Sequence, residues 1–413
     1  MSNCHIKTVD GGTFAHMHRL ENLDISYNTR LGLKSLENIT ADLRSTSIRI
    51  FKFQKICPTF ALNQYLTKQH MINLKWTNLT EIYLDSNRIQ LIETGVIALL
   101  PKTLDKISVG DNGLSFGAYF LEIKFLSVKI LNASYLSMSH DPQVEDIDCC
   151  CINTRHAEPY TVELPKQTQY VLPTTNVGFD PFQSLKLPKN IREFHFKGSG
   201  VRIEIPRLPF KDNVLEIVDC SSNVFFSLRG PLLNLPHLKV IDVSNNFCSS
   251  ISNDFFNGTP NVRKLVLNNN LLGFHLEGEI FRNLKELEDI NLAENRITDL
   301  PFNLFRSQTS LRIFNLSGNM IETLTFQMDH MTQLLNFDLS KNLIRYLDTN
   351  TTAALNAIWM KNRNLSLNLK GNPLQCTCDS IEFVSWLLST KVHVEGVKFY
   401  PCHLFNQSKV LLA

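Results

Sequence analysis

The chain has 413 residues, with 41 Lys and Arg against 39 Asp and Glu and a formal net charge of +2. Both signs are mixed and no basic run stands out, so overall electrostatics do not point to nucleic acid, although a local patch stays open. No run of 18 apolar residues is present to form a membrane-spanning helix, and Met1 leads into a segment without the apolar core of a secretory leader.

The chain opens with Asn3, Ile6, Val9 and Phe14, which read as the tail of a repeating unit whose strand is missing. A full row follows at Leu20, Leu23, Ile25 and Asn28. A start in mid-unit implies that the native protein extends upstream. Residues 40–77 are degenerate: Ile48, Phe51 and Phe53 fill strand places, and Ile56 stands where an asparagine is expected. Rows resume at Leu79, Ile82, Leu84 and Asn87, and at Leu104, Ile107, Val109 and Asn112, with a weaker row at Val128, Leu131 and Ala133. From 137 to 188 the period is lost. This stretch is rich in Pro, Thr, Asp and Glu and contains Cys149, Cys150 and Cys151. A loop of this length inside a compact array is functional or disordered, so it is expected to break the array and to be its most protease-sensitive part. Rows return at Ile191, Phe194 and Phe196, with Ser199 in the asparagine place.

From Leu215 the pattern is regular. Rows such as LKVIDVSNNFC, LEDINLAENRI and LRIFNLSGNMI fit one template, L-x-x-L-x-L-x-x-N-x-L. Its asparagines are Asn223, Asn246, Asn270, Asn295, Asn319, Asn342 and Asn372. A period in the twenties with this template is the leucine-rich repeat. The expected fold is therefore an α/β repeat solenoid, a curved horseshoe with a parallel inner sheet. Positions 1, 4 and 6 face inward, the last two alternating as on a strand. The ninth position is polar yet internal, and asparagine carries both a donor and an acceptor on a short stem. Stacked coils thus predict a ladder of Asn28, Asn87, Asn112 and the seven asparagines above. Phe14, Phe256, Phe281 and Phe305 recur about ten residues after the ladder place and predict an aromatic spine. The reading divides the chain into an N-terminal array over 1–136, an irregular insertion over 137–188, a C-terminal array over 189–374 and a cap over 375–413.

After Asn372 the run from Ile381 to Leu388 places Ile381, Val384, Leu387 and Leu388 on one helical face, expected to cover the last coil. Cys220 and Cys248 occupy apolar template places and read as buried free thiols. For Cys149–Cys151, loop disulfides with Cys57 or Cys4 and a metal site with His156 both stay open, although no paired C-x-x-C sets favour metal. Sequons stand at Asn38, Asn78, Asn132, Asn257, Asn315, Asn350, Asn364 and Asn406. Asn315 falls on the inner strand face, where a glycan would block part of the concave surface. No G-x-S-x-G, H-E-x-x-H, phosphate loop or dinucleotide fingerprint occurs, and His16, His18, His140 and His156 have no partner pattern, so no catalytic residues, metal or cofactor are expected. The x positions, for example Glu216, Ile217, Asp219, Lys239 and Asp242, form a broad mixed-charge sheet surface suited to a protein or polymer. Asp at the fifth place (Asp24, Asp219, Asp242, Asp338) is weak evidence for a ligand.

The segment N-P-L-x-C-x-C at Cys376 and Cys378, the Trp-bearing helix and Cys402 resemble the cysteine-rich C-terminal flank of extracellular leucine-rich proteins. That resemblance implies a disulfide between Cys376 and Cys402 and a partner for Cys378 that the chain does not contain. With rows such as LDISYN, IDVSNN and FDLSKN, the whole chain resembles the C-terminal part of a Toll-like receptor ectodomain. This implies a ligand-recognition module on the cell surface or in the endosomal lumen, dimerising through its C-terminal lateral face. Its membrane helix and signalling domain would lie downstream. Two alternatives are an adhesion, matrix or decoy protein and a cytosolic scaffold, the latter favoured only by the missing leader.

Overall fold

The computed structural model describes residues 1–59, 61, 64–114, 122–136, 187–273, 276, 278–375 and 377–395, with only the backbone of 274, 401–403 and 409–411. Its central feature is a parallel sheet of fourteen strands, one per coil, in chain order. These are β1 Asn22–Asp24, β2 Ile50–Lys52, β3 Glu81–Tyr83, β4 Lys106–Ser108, β5 Ile130–Asn132, β6 Glu193–His195 and β7 Ile217–Asp219. They continue as β8 Val240–Asp242, β9 Lys264–Val266, β10 Asp289–Asn291, β11 Ile313–Asn315, β12 Asn336–Asp338, β13 Ser366–Asn368 and β14 His393–Glu395. Each strand is three residues long, and its middle residue pairs with the middle residue of the next, as Leu23 with Phe51 and Leu265 with Ile290. All the inward side chains therefore stack in one apolar column.

The sheet lies on the inner side because strands are thinner than what backs them. Strands repeat at about 4.8 Å, whereas a helix with side chains is about 10 Å across. The second coil is backed by helix α1, Leu36–Leu43, and the third by a helical turn at Lys68–Met71. The coils after β6 carry a second, small parallel sheet instead, with Ser227–Leu228 between Glu204–Ile205 and Ser250–Ile251.

The period is lost in the sequence between 137 and 188, yet the sheet is not interrupted. Ile130, Leu131 and Asn132 of β5 pair directly with Glu193, Phe194 and His195 of β6. The expected break is thus absent from the sheet. The reason is geometric: the rows on either side satisfy each other's strand bonds directly.

Ten asparagines are buried along the stack: Asn28, Asn87, Asn112, Asn223, Asn246, Asn270, Asn295, Asn319, Asn342 and Asn372. The bonding has a direction. Asn319 Oδ1 accepts from Asn295 N (2.9 Å) and Ile297 N (3.0 Å), while Nδ2 donates to Leu292 O (3.0 Å) and Leu316 O (2.9 Å). Asn28 at one end bonds residues 1, 4 and 6 in the same way, and Asn372 at the other accepts from Ile344 N. Each asparagine serves the coil before it. Ile56 and Leu136 leave gaps in this column. Ser199 reaches Leu136 N at 3.4 Å and Ala133 O at 3.2 Å, a longer and poorer set.

The aromatic spine is continuous through Phe256, Phe281 and Phe305, with ring centroids 6.0 and 5.5 Å apart, and extends to Phe326 at 5.5 Å. Phe14 is buried apart from it, its amide donating to Asp42 Oδ2. The longer interval before Asn372 holds a true helix, α2, Thr349–Asn362, started by Asp348, whose carboxylate accepts from Thr351 N at 2.7 Å. The final helix, α3, Ile381–Ser389, is rotated from expectation. It buries Phe383, Trp386 and Leu387, while Ile381 and Leu388 are exposed. The indole fixes this rotation. A buried Trp needs a partner for its N–H, and Trp386 Nε1 finds Asn356 Oδ1 of α2 at 3.0 Å.

Candidate functional site

The inner sheet is not uniform. Across β2 to β7 it holds a hollow of about 500 Å³ lined among others by Gln54, Tyr83, Asp85, Lys106, Asp111, Asn132, Glu193, His195 and Asp219. At the last outward position of the strand, β2, β3, β4 and β6 carry Lys52, Tyr83, Ser108 and His195, where β8 and β10 to β13 carry Asp or Asn. Asp85 accepts from Gln54 Nε2 (2.9 Å), Ser108 Oγ (2.5 Å) and Gly110 N (2.9 Å). Gly110 permits this approach, since a Cβ there would meet Asp85 Oδ1 at 3.0 Å and Ser134 O at 3.1 Å. The ring of Tyr83 lies between Lys52 Nζ at 5.2 Å and Lys106 Nζ at 5.0 Å, and its hydroxyl donates to Glu81 Oε2 at 2.7 Å. Burial first, and then that carboxylate, push the phenol pKa up.

His195 stands between two carboxylates, with Nε2 3.3 Å from Glu193 Oε2 and Nδ1 3.9 Å from Asp219 Oδ2. Its interaction with Asp219 raises its pKa; burial opposes this and Glu193 adds to it. Burial alone would raise the Asp219 carboxyl, but hydrogen bonds from His195 and Ser221 outweigh it and hold it at about 2. The hollow therefore sets Asp85, Asp111, Glu193 and Asp219 against Lys106 and His195, an acidic excess. It has the means to bind by charge and hydrogen bond. Among the described residues no group of three His, Cys, Asp or Glu could hold a metal ion.

The fifth-position acids have a local task. Asp24, Asp219, Asp242 and Asp338 each accept from the backbone N–H two residues on, at Ser26, Ser221, Ser244 and Ser340. Such turns close the strand ends, which accounts for these residues without a ligand. Asn132 and Asn315 do the same for Ser134 and Ser317. Both sequon asparagines are half-buried on the inner sheet, and Asn132 Nδ2 donates to Ser108 Oγ at 2.9 Å inside the hollow. Asn38, Asn78, Asn257, Asn350 and Asn364 are exposed, and Asn406 lies outside the described residues.

Cys376, Cys149–Cys151 and His156 also lie outside them, and only the backbone of Cys402 is described, in a strand paired with Lys409–Leu411. The expected Cys376–Cys402 bond is therefore not part of the described structure. Cys378 is exposed and unbonded, and Cys4 and Cys57 are free thiols. Burial pushes the Cys57 thiol up to about 11 and those of Cys220 and Cys248 up to about 12, so all three are protonated and inert at neutral pH. None of the described helices is long and apolar enough to cross a membrane.

A second surface shows at the residue after the ladder asparagine. Phe247, Met320 and Leu343 follow Asn246, Asn319 and Asn342, and are 56%, 47% and 41% exposed. Phe226 adds to this apolar side. None of the seven described sequon asparagines falls on that column.

Comparison with known proteins places these features. Residues 260–321 match the family model described as leucine rich repeat. A curated relative, Toll-like receptor 4 of Pinctada imbricata, is 32% identical over 427 aligned positions, covering 95% of this chain and 47% of that receptor. The chain thus spans about half the length of that relative. Among solved structures, the Drosophila Toll–Spatzle complex matches with TM-score 0.57 and 17% identity, over 90% of this chain and 47% of the other. A Toll-like receptor 13 complex with single-stranded RNA matches with TM-score 0.51 and 17% identity, over 94% and 55%. The same fold thus holds an RNA in one protein, so the near-neutral composition here is no guide to ligand class.

Proposed function

Because this chain belongs to the Toll-like receptor family of leucine-rich repeat ectodomains, we propose that it recognises its ligand in the hollow of the inner sheet between β2 and β7. The chain is an innate immune receptor ectodomain, and its relatives face the outside of the cell or the endosomal lumen. These relatives are receptors in kind rather than enzymes. The observation that supports the hollow is the cluster of Tyr83, Asp85, Glu193 and His195, with Tyr83 and His195 at the last strand position, where β8 and β10 to β13 carry Asp or Asn. The acidic excess favours a protein or polymer that presents cationic groups. The decisive test is cross-linking of the chain to such a protein ligand. Contacts on β2 to β7, lost in Glu193→Lys and kept in Lys264→Glu, support the reading. Contacts confined to the outer, helix-backed side would sink it.

Exposed Phe247, Met320 and Leu343, at one template place with Leu271 and Arg296 on the coils between, support dimerisation through the C-terminal lateral face. Sedimentation of wild type against Phe247→Glu/Leu343→Glu tests it: a dimer that dissociates in the variant is expected, and equal behaviour of the two chains overturns it.

A further inference from the structure

A third surface belongs to neither the hollow nor the apolar column. It is the turn leading into each inner strand. Over the turns before β1 to β6 (residues 15–21, 44–49, 75–80, 100–105, 124–129 and 188–192) these segments carry nine Lys and Arg against two acids. In the turns before β7 to β10 four cations face four acids, and Lys239 and Arg263 are paired. Lys239 bonds Glu216 at 2.6 Å and Arg263 lies 3.4 Å from Glu288, and the first residue of β9, Lys264, lies 2.9 Å from Asp289 of β10. The turns before β11 to β14 carry Arg312, Lys361, Arg363 and Lys391 without an acid and without an exposed aromatic ring among them. In the early coils Arg19, Arg44, Lys75, Lys102, Lys124 and Lys189 are exposed and have no carboxylate partner among the described residues. Six uncompensated cations on adjacent coils repel one another, a cost that a neutral alternative at any of these exposed places would remove.

The turns form one continuous edge. His18 Nδ1 meets Ser45 O at 2.9 Å, Thr80 Oγ1 donates to Arg49 O at 3.0 Å, Thr103 Oγ1 to Leu79 O at 2.6 Å, and Lys102 Nζ to Phe125 O at 3.3 Å. Two aromatic rings interrupt the cations at equivalent places two coils apart. Trp76 is 62% and Phe125 54% exposed, each ending a short 3-10 helix. Each is covered by the lysine before it, Lys75 Nζ 5.4 Å from the Trp76 ring and Lys124 Nζ 4.9 Å from the Phe125 ring.

We propose that this edge binds a sulfated polysaccharide chain. A polyanion is required by the unpaired cations. Four of the six are lysines, point charges on long stems that suit sulfate esters at variable spacing better than planar, bidentate groups. The repeated ring-and-ammonium unit offers an apolar face for a sugar ring beside a cation for its sulfate. Single-stranded nucleic acid fits less well, because it stacks bases on open aromatic faces along a cationic groove, and here each ring already carries an ammonium and the described hollow is acidic and lies on another face.

The test is retention of the folded chain on immobilised heparin, read as the eluting salt concentration and as an affinity in about 0.15 M salt. The expected result is retention of wild type and an affinity loss of about tenfold or more in Lys75→Ser/Lys102→Ser/Lys124→Ser, as three exposed charge contacts are removed. The control Lys239→Ser/Arg263→Ser/Lys264→Ser makes the same change in net charge and is expected to stay within about twofold, because those cations are already paired. Trp76→Ala, which leaves charge unchanged, is expected to weaken binding further than a mere cationic field would allow. The Asn78 sequon lies in the same turn, and Asn78→Gln is expected to keep or improve binding. No retention of wild type, equal losses in the two triple variants, or loss on Asn78→Gln overturns the proposal. So does a single-stranded RNA of matched charge that displaces heparin and binds more tightly through the same residues.

Discussion

The coils before β7 and those after it use the same template and differ in how completely they obey it. From Asn223 to Asn372 every coil carries its ladder asparagine, the phenylalanine spine runs without a gap from Phe256 to Phe326, and Lys239, Arg263 and Lys264 are paired across neighbouring coils. Before Asn223, Ile56, Leu136 and Ser199 interrupt the ladder, unpaired cations stand on every turn before β1 to β6, and the inner sheet is hollowed. Regularity is what holds a stack of coils together, since each coil contacts only its neighbours. Irregular rows lose some of that cohesion and gain surfaces that differ from coil to coil. The later coils are the regular frame, and the earlier ones carry the surfaces that change from coil to coil, where the proposed recognition sites lie.

The sharpest way to break this comparison is to remove the spine. Phe281→Ala takes a fully buried ring from between Phe256 and Phe305, and a loss of about 3–5 kcal/mol in urea unfolding is expected. A loss below 1 kcal/mol would mean the spine is not structural. Next in size is the ladder. Asn319→Ala strands two buried N–H groups, at Asn295 and Ile297, and is expected to cost about 2–4 kcal/mol, whereas Ser199→Ala, with bonds of 3.2–3.4 Å, should cost about 0.5–1 kcal/mol. Equal costs for the two would erase the distinction between the halves.

A smaller effect is tied to pH. The folded pKa of His195 is raised, so the native state binds its proton more tightly than the unfolded chain does. The resulting stability is fully present below the unfolded value, near 6.5, and is lost as pH rises through the raised folded value. His195→Asn should therefore lower the melting temperature at pH 5 and have progressively less effect towards pH 8. The opposite trend would show that burial, not Asp219 and Glu193, governs the imidazole. Asp219 acts in the other direction, stabilising above its unfolded value and losing that contribution only as pH falls towards 2. Glycan occupancy supplies another comparison: mass spectrometry should find Asn78 and Asn364 modified and Asn132 bare, since its Nδ2 is engaged in the hollow. The smallest effect is expected for Lys239→Ala, whose exposed pair with Glu216 is worth less than about 1 kcal/mol.

Much of the frame was legible in the amino-acid order because a leucine-rich coil is a local object. Leu, Leu, Leu and Asn at fixed offsets place strand, turn and ladder within some two dozen residues, and stacking repeats the result. The candidate site was not legible in the same way. Tyr83 and Asp85 share one row while His195 lies on another, more than a hundred residues on, and His195 carries no motif of its own. The available signal was that the last outward position of β2, β3 and β6 holds Lys, Tyr and His where β8 and β10 to β13 hold Asp or Asn. The rotation of α3 also escaped the periodic reading, because Ile381 and Leu388 share a face as plausibly as Phe383 and Trp386 do. Only the reach of Trp386 Nε1 to Asn356, 30 residues away in sequence, selects between them. The order of residues thus determined the coil, its period and its buried ladder, since these depend on neighbours along the chain. The tertiary structure alone decided that β5 pairs with β6 across the insertion, that fifth-position acids close their own strand ends, and where the hollow lies. Those outcomes depend on which coils stand side by side, and side chains tens of residues apart meet only once the stack is formed.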